Sequence, residues 1–175
     1  MATKMLYRSK QFFLALRSRP LTEDELAPAR GVLTPQQMEL FTRLQPGEQI
    51  HALRVLKTLQ GQGETHPDLL TAALLHDVGK CRVPLHLWER VFIVIGKKLF
   101  PRRVQFWGQG SPRGWRRPFV VAAGHPSWGA ELALGVGTSP LALQLIRQHQ
   151  NDLPPAGNPL ERRLLDTLKQ ADNQN

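Results

Sequence analysis

The sequence predicts an all-α fold, a helical bundle carrying an accessory helical layer at its N-terminus. Three observations carry this reading. Apolar residues recur at three- and four-residue steps along most of the chain, threonines and prolines stand where those patterns begin, and no internal repeat or low-complexity tract interrupts them.

Helical patterns fall near residues 9–17, 22–30, 35–44, 47–60, 67–79, 84–98, 118–134, 139–149 and 159–171. In the first, Phe12, Phe13, Leu14 and Leu16 read as packing residues. Thr22 before Glu23-Asp24-Glu25 and Thr34 before Pro35 read as N-caps of the next two, since a threonine oxygen there can accept from an otherwise unpaired amide. Residues 1–45 form the N-terminal extension, expected to dock on the main domain at 46–175. Within that domain, a helix starting at Pro46-Gly47-Glu48 brings His51, with Val55 one turn on. The following helix begins near His66-Pro67-Asp68 and runs to a stop at Gly79, and its apolar stripe of Leu70, Ala73 and Leu74 leads straight into Asp77. His125 precedes Pro126, which places it at a helix entrance. His149 follows Leu141 and Leu145 at four-residue steps, and Asp172 extends the apolar face of Leu164 or Leu165 and Leu168.

The pair His76-Asp77 is the most informative feature, because it puts two metal-ligand side chains where a helix should bury hydrocarbon. A core-facing carboxylate without a partner costs several kcal/mol, on the order of a whole mutational effect, so the position asks for a cation, a network of donors, or a different helix phase, and a metal is the economical answer if further ligands exist. Further ligands exist. Four of the six histidines, His51, His76, His125 and His149, and two aspartates, Asp77 and Asp172, fall on the inward sides of separate helices. A mixed oxygen and nitrogen set of this kind suits Mn, Fe, Co, Ni, Zn or Mg.

The His, His-Asp, distant Asp pattern resembles that of the HD-domain metal-dependent phosphohydrolases. The matching residues are His51, His76-Asp77 and Asp172, and the resemblance covers about residues 46–175. The segment Ala72-Ala73-Leu74-Leu75-His76-Asp77-Val78-Gly79-Lys80 resembles the signature of the HD-GYP-like branch. His125 and His149 resemble the added ligands of members with two metals, in which the aspartate of the His-Asp pair bridges the ions. By that likeness His51, His76, Asp77 and Asp172 hold one ion and Asp77, His125 and His149 a second. The chain departs from the branch after His149, where Gln150-Asn151-Asp152-Leu153-Pro154-Pro155 replaces a second histidine, an acid and the Gly-Tyr-Pro loop. The departure argues against cyclic di-GMP as substrate and favours one ion over two.

The resemblance implies hydrolysis of a nucleotide or another phosphoester by metal-activated water. Phosphate esters are anionic and poor electrophiles, so a divalent ion is needed to neutralise a phosphoryl oxygen and to deliver hydroxide at neutral pH. In this reading Asp77 and Lys80 are catalytic, with Lys80 and Arg54 contacting the substrate and the Lys80 ammonium placed on the phosphate as a point charge. The alternative is a catalytically weak or inactive HD-like module that binds a ligand for signalling, kept open by Gln150 and Asn151.

Composition is consistent with an ordinary globule. No apolar run is long enough to cross a bilayer, the start of the chain lacks a secretory pattern, and the single cysteine, Cys81, excludes an internal disulfide, so the expected compartment is the cytoplasm. The net charge of +9 implies anionic partners. It concentrates in a basic insertion near 97–117, where Lys97, Lys98, Arg102, Arg103, Arg113, Arg116 and Arg117 follow the apolar run Val91 to Ile95, with Trp88, Trp107 and Trp115 interleaved in the same stretch. That mixture fits an anionic membrane surface, a nucleic-acid backbone, a guide for phosphorylated substrate, or a solvated loop over Gly108 to Pro118. No nucleic-acid motif accompanies it, which favours surface or substrate electrostatics.

Overall fold

The computed structural model describes residues 19–151 and 158–175. The helix expected over 9–17, and Asp152, lie outside them. Among the described residues there are nine α-helices, two short 3-10 turns and no strand. In chain order the helices are α1 (Glu23–Arg30), α2 (Pro35–Thr42), α3 (Pro46–Gly61), α4 (Pro67–Leu75), α5 (Leu87–Leu99), α6 (Pro101–Trp107), α7 (Arg117–Leu134), α8 (Pro140–Gln148) and α9 (Pro159–Gln174). The 3-10 turns are Val78–Arg82 and Gly114–Arg116.

The starts follow from local chemistry. Proline stands in the first turn of α2, α3, α4, α6, α7, α8 and α9, where its fixed φ suits the helix and its missing N–H removes no bond. Thr22 and Thr34 form the expected caps. Each hydroxyl accepts from the amide three residues on, while Glu25 and Gln37 accept in return from the cap amides.

The core lies between α3, α4, α8 and α9. Leu56, Leu59, Leu69, Leu74, Leu145 and Leu168 are fully buried there, and Leu26 of α1 and Phe41 of α2 belong to the same apolar cluster. Each such side chain contributes about 1.5–3 kcal/mol of burial, so the frame that carries the polar residues is held from several sides. One face of α7 completes it with Ala130 and Ala133.

Four elements differ from expectation. The helix expected to reach Gly79 ends at Leu75, and the chain tightens through His76 and Asp77 into the 3-10 turn. With three residues per turn, position i+3 stacks over i, which sets Lys80 above Asp77. The helix expected from residue 84 begins at Leu87, because Glu89 reaches back to accept from the His86 amide and fixes the start there. The basic insertion is more ordered than a solvated loop, since it contains α6 and a 3-10 turn held by the rings of Phe92, Phe100, Trp107, Trp115 and Phe119. Finally, Pro126 lies inside α7 rather than at its start.

The 3-10 turn is pressed onto α7 at a glycine. A Cβ at Gly79 would overlap the His125 carbonyl oxygen and lie 2.6 Å from the Gly129 nitrogen, both of them backbone atoms that cannot swing away. Gly79→Ala is therefore expected to cost about 3 kcal/mol and to lower Tm by roughly 10 °C, read by thermal unfolding. A Tm within 2 °C of wild type would contradict the close approach.

Candidate metal centre

Six ligand-type side chains come from five places in the fold. His51 projects from α3, His76 and Asp77 from the bend after α4, His125 from the middle of α7, His149 from the C-terminus of α8 and Asp172 from the last turn of α9. The apolar spacings that pointed to them explain why they meet. Val55, Leu145 and Leu168 are fully buried, and a polar residue one turn from each faces the same interior.

Asp77 stands at the middle, buried, with its two oxygens facing different neighbours. Oδ1 is 3.2 Å from His125 Nε2 and 3.9 Å from His149 Nε2, while Oδ2 is 3.6 Å from His76 Nε2 and 2.5 Å from Lys80 Nζ. On the other side, Asp172 Oδ1 is 2.8 Å from His51 Nε2 and 3.7 Å from His76 Nε2. Two sets have donor atoms within 4.8 Å of one another, His51 with His76 and Asp172, and His76 with Asp77 and His149. His76 is common to both. His125 lies in neither set, yet its Nε2 is 3.3 Å from that of His149.

Each buried histidine is held by its far nitrogen. Nδ1 of His76 donates to the Ala73 carbonyl at 2.9 Å, Nδ1 of His149 to Ile146 at 2.8 Å, and Nδ1 of His125 to Val121 and Ala122 at 3.2 and 3.1 Å. A carbonyl can only accept, so these bonds put the proton on Nδ1 and leave the Nε2 lone pair pointing inward. The expectation that Pro126 places His125 at a helix entrance is not met. Pro126 does not open a helix; lacking an N–H, it leaves the Ala122 carbonyl without its helical donor, and the His125 ring supplies one.

Three Nε2 lone pairs thus converge on a buried carboxylate. Burial, followed by the charges of His76 and His125, holds His149 down at about 3. Burial likewise lowers His125, only partly offset by the nearby Asp77 carboxylate, which favours the protonated ring. Both rings are therefore neutral near pH 7. Burial alone would raise Asp77, but Lys80, His76 and His125 outweigh it and hold the carboxyl well below the usual range. Asp172 is also raised by burial, then brought to about 2 by its bond to His51 and the charge of His76. His76 Nε2 is fully buried and has no hydrogen-bond partner. An orphaned buried nitrogen beside two carboxylates has the chemistry of a cation ligand. The donor set fits a divalent ion, with each ring oriented by a carbonyl in the manner of metal-binding histidines.

Lys80 is partly sunk beside Asp77, and although burial lowers its pKa, the charges of Asp77 and Glu48 raise it above the ordinary value. Glu48 is a contributor that spacing did not reveal. It sits buried in the first turn of α3, bonded to Arg90 at 2.7 Å, and capping spacing was the only hint of it. Lys97, grouped by sequence with the basic surface, stands close enough to the centre to feel it. Partial desolvation and then the charge of Lys80 push its pKa down, and Asp172 and Asp77 oppose them. Arg54 lies one turn along α3 from His51 and lines a groove of about 540 Å³ with Leu21, Glu25, Pro28 and Lys57, a lining that includes none of the six ligand-type residues. Cys81 is half-buried and outside both sets.

The shifts give a pH dependence for the metal-free protein. The folded state holds His149 at about 3 against an ordinary 6.5, so between those values the unfolded chain binds a proton that the folded one refuses. Stability is therefore complete above 6.5 and declines as pH falls toward 3, with Asp172 adding a second decline from 3.8 to about 2. Melts of chelator-treated protein should show Tm falling steadily between about pH 7 and pH 5. A flat profile would contradict the burial of neutral imidazoles.

The family model for the HD domain matches residues 49–173. Comparison with curated proteins and with solved structures finds no match.

Proposed function

This chain belongs to the HD-domain family, and we propose that it hydrolyses a nucleotide or another phosphoester with the aid of one or two divalent ions. The observation that supports this best is the convergence of unprotonated Nε2 atoms from His76, His125 and His149 on the buried Asp77 carboxylate. In our reading His51, His76, Asp77 and Asp172 hold one ion, and Asp77, His125 and His149 provide for a second. Asp77 suits the shared position because its two oxygens face different histidines. Likeness to the HD-GYP branch rests on Ala72 to Lys80 and on these added histidines.

A divalent ion in such a centre neutralises phosphoryl oxygen and makes water acidic enough to react near pH 7. The chain's own residues supply the rest. Asp77 accepts hydrogen bonds from groups placed between it and the substrate, Lys80 presents an ammonium to the phosphate, and Lys97 adds positive charge at the rim. Arg54 serves only a substrate long enough to extend along α3 from His51 into the neighbouring groove. Phosphoesters, nucleotides and cyclic dinucleotides should be screened with Mn, Fe, Co, Ni, Zn and Mg, reading released phosphate and nucleotide products. Turnover that requires added metal is the expected result.

Gln150 and Asn151 favour a second reading. Both are exposed where the HD-GYP branch carries a histidine and an acid, so the centre gains nothing from them. A chain that binds phosphoesters but turns over none of them with any metal is a ligand-binding module.

A further inference from the structure

α5 is built inside out. Its packed side carries Glu89, only 1% exposed and paired with Arg117, together with Gly96, whose bare backbone meets the Phe119 ring. Its outer side is apolar: Trp88 and Leu99 are each 61% exposed, Val94 54% and Ile95 46%. Phe106 of α6 is 65% exposed and Trp115 follows, joined to α5 through the rings of Trp107, Phe119 and Phe92. Exposed large apolar side chains gathered on adjoining elements mark a contact surface.

Charge identifies the partner. From residue 87 to residue 130 the only acid is Glu89, and it is spent on Arg117. The exposed cations Lys98, Arg102, Arg103 and Arg113 therefore stand among the apolar side chains without opposing charge nearby in sequence. A second copy of this chain would bring like charge against like. Nucleic acid would satisfy the cations but leave Val94, Ile95 and Leu99 uncovered. Moreover, Arg116 donates to the carbonyls of Phe106, Trp107 and Gln109, and Arg117 to Glu89 and Pro84, so these two arginines brace the platform instead of reaching for phosphates. Aliphatic and tryptophan side chains surrounded by lysine and arginine suit the boundary between anionic headgroups and acyl chains.

We infer that the α5–α6 face docks this protein peripherally on an anionic lipid bilayer. No helix among the described residues is long and apolar enough to span one, so the contact is superficial.

The test is cosedimentation of the full chain with vesicles of phosphatidylcholine alone and of phosphatidylcholine mixed with phosphatidylglycerol. Pelleting with the mixed vesicles only, persisting at roughly 0.15 M salt, is expected. The combined variant Trp88→Ser, Ile95→Ser, Leu99→Ser, Phe106→Ser should bind about 100-fold more weakly or worse. Its circular dichroism and metal content should match wild type. A second variant, Lys98→Gln, Arg102→Gln, Arg103→Gln, leaves the apolar face intact and should lose the preference for phosphatidylglycerol. Failure of wild type to pellet overturns the inference, as does a charge variant that pellets like wild type. A wild-type dimer by light scattering that does not pellet assigns the face to a second copy and likewise overturns it. Duplex or single-stranded DNA that competes the protein off the vesicles assigns it to nucleic acid instead.

Discussion

Asp77→Ala is expected to strip the protein of metal and to lower its Tm by roughly 10 °C. Two losses combine. The carboxylate that faces His76, His125 and His149 disappears, and the Lys80 ammonium, partly buried against it, is left without its partner. Breaking a buried pair costs about 3–5 kcal/mol, and release of a bound ion removes folding free energy in addition. Elemental analysis after purification from metal-replete medium, followed by thermal unfolding, reads both. Wild type should carry near-stoichiometric metal, and chelation should bring its Tm toward that of the variant. Cys81→Ser, outside both ligand sets, should change neither quantity. Wild type without metal under these conditions would sink the assignment of the centre.

The second large effect is on turnover. His76→Ala should reduce metal-dependent phosphoester cleavage by about a thousandfold or more, the equivalent of losing several kcal/mol of charge stabilisation at the reacting phosphate. His76 has its donor atom within reach of both groups of ligand-type side chains and holds the first ion in our reading, so its loss is felt directly by that ion. Lys80→Ala should slow turnover less, by about tenfold to a hundredfold, because the ligands remain while one positive charge is lost. Steady-state rates at saturating metal, with circular dichroism to verify the helices, separate the cases. Equal losses in the two variants would mean that Lys80 acts through the placement of Asp77 and not on the substrate.

The helices that carry the centre were legible because burial on one face leaves a period in the sequence. Val55, Leu145 and Leu168 announce the sides on which His51, His149 and Asp172 lie, and proline and threonine mark the starts. What escaped depends on partners distant in the chain. Leu69 to Leu75 continue into Val78 without a change of pattern, so the apolar run hides the bend at His76 and Asp77 that Gly79's contact with α7 requires. Glu48 and Glu89 look like surface acids until Arg90 and Arg117 are brought to them across 42 and 28 residues. Within the stretch rich in glycine, proline and arginine, Arg116 donates to carbonyls only 7 to 10 residues back, and what spacing does not show there is that the rings of Trp107 and Trp115 pack on Phe119.

Pro126 lies buried inside α7, and the hydrogen atom it does not possess leaves the Ala122 carbonyl open to the His125 ring. A mid-helix proline is a defect of about 3 kcal/mol by ordinary propensity, and here the defect is the instrument. Pro126→Ala should therefore make a sturdier and poorer protein. The restored amide would claim the Ala122 carbonyl, Tm would rise, and metal retention against a chelator would fall as the ring lost one of its two carbonyl partners and kept only Val121. In such a chain the optimum of folding and the optimum of function lie at different sequences, separated by a single ring closure.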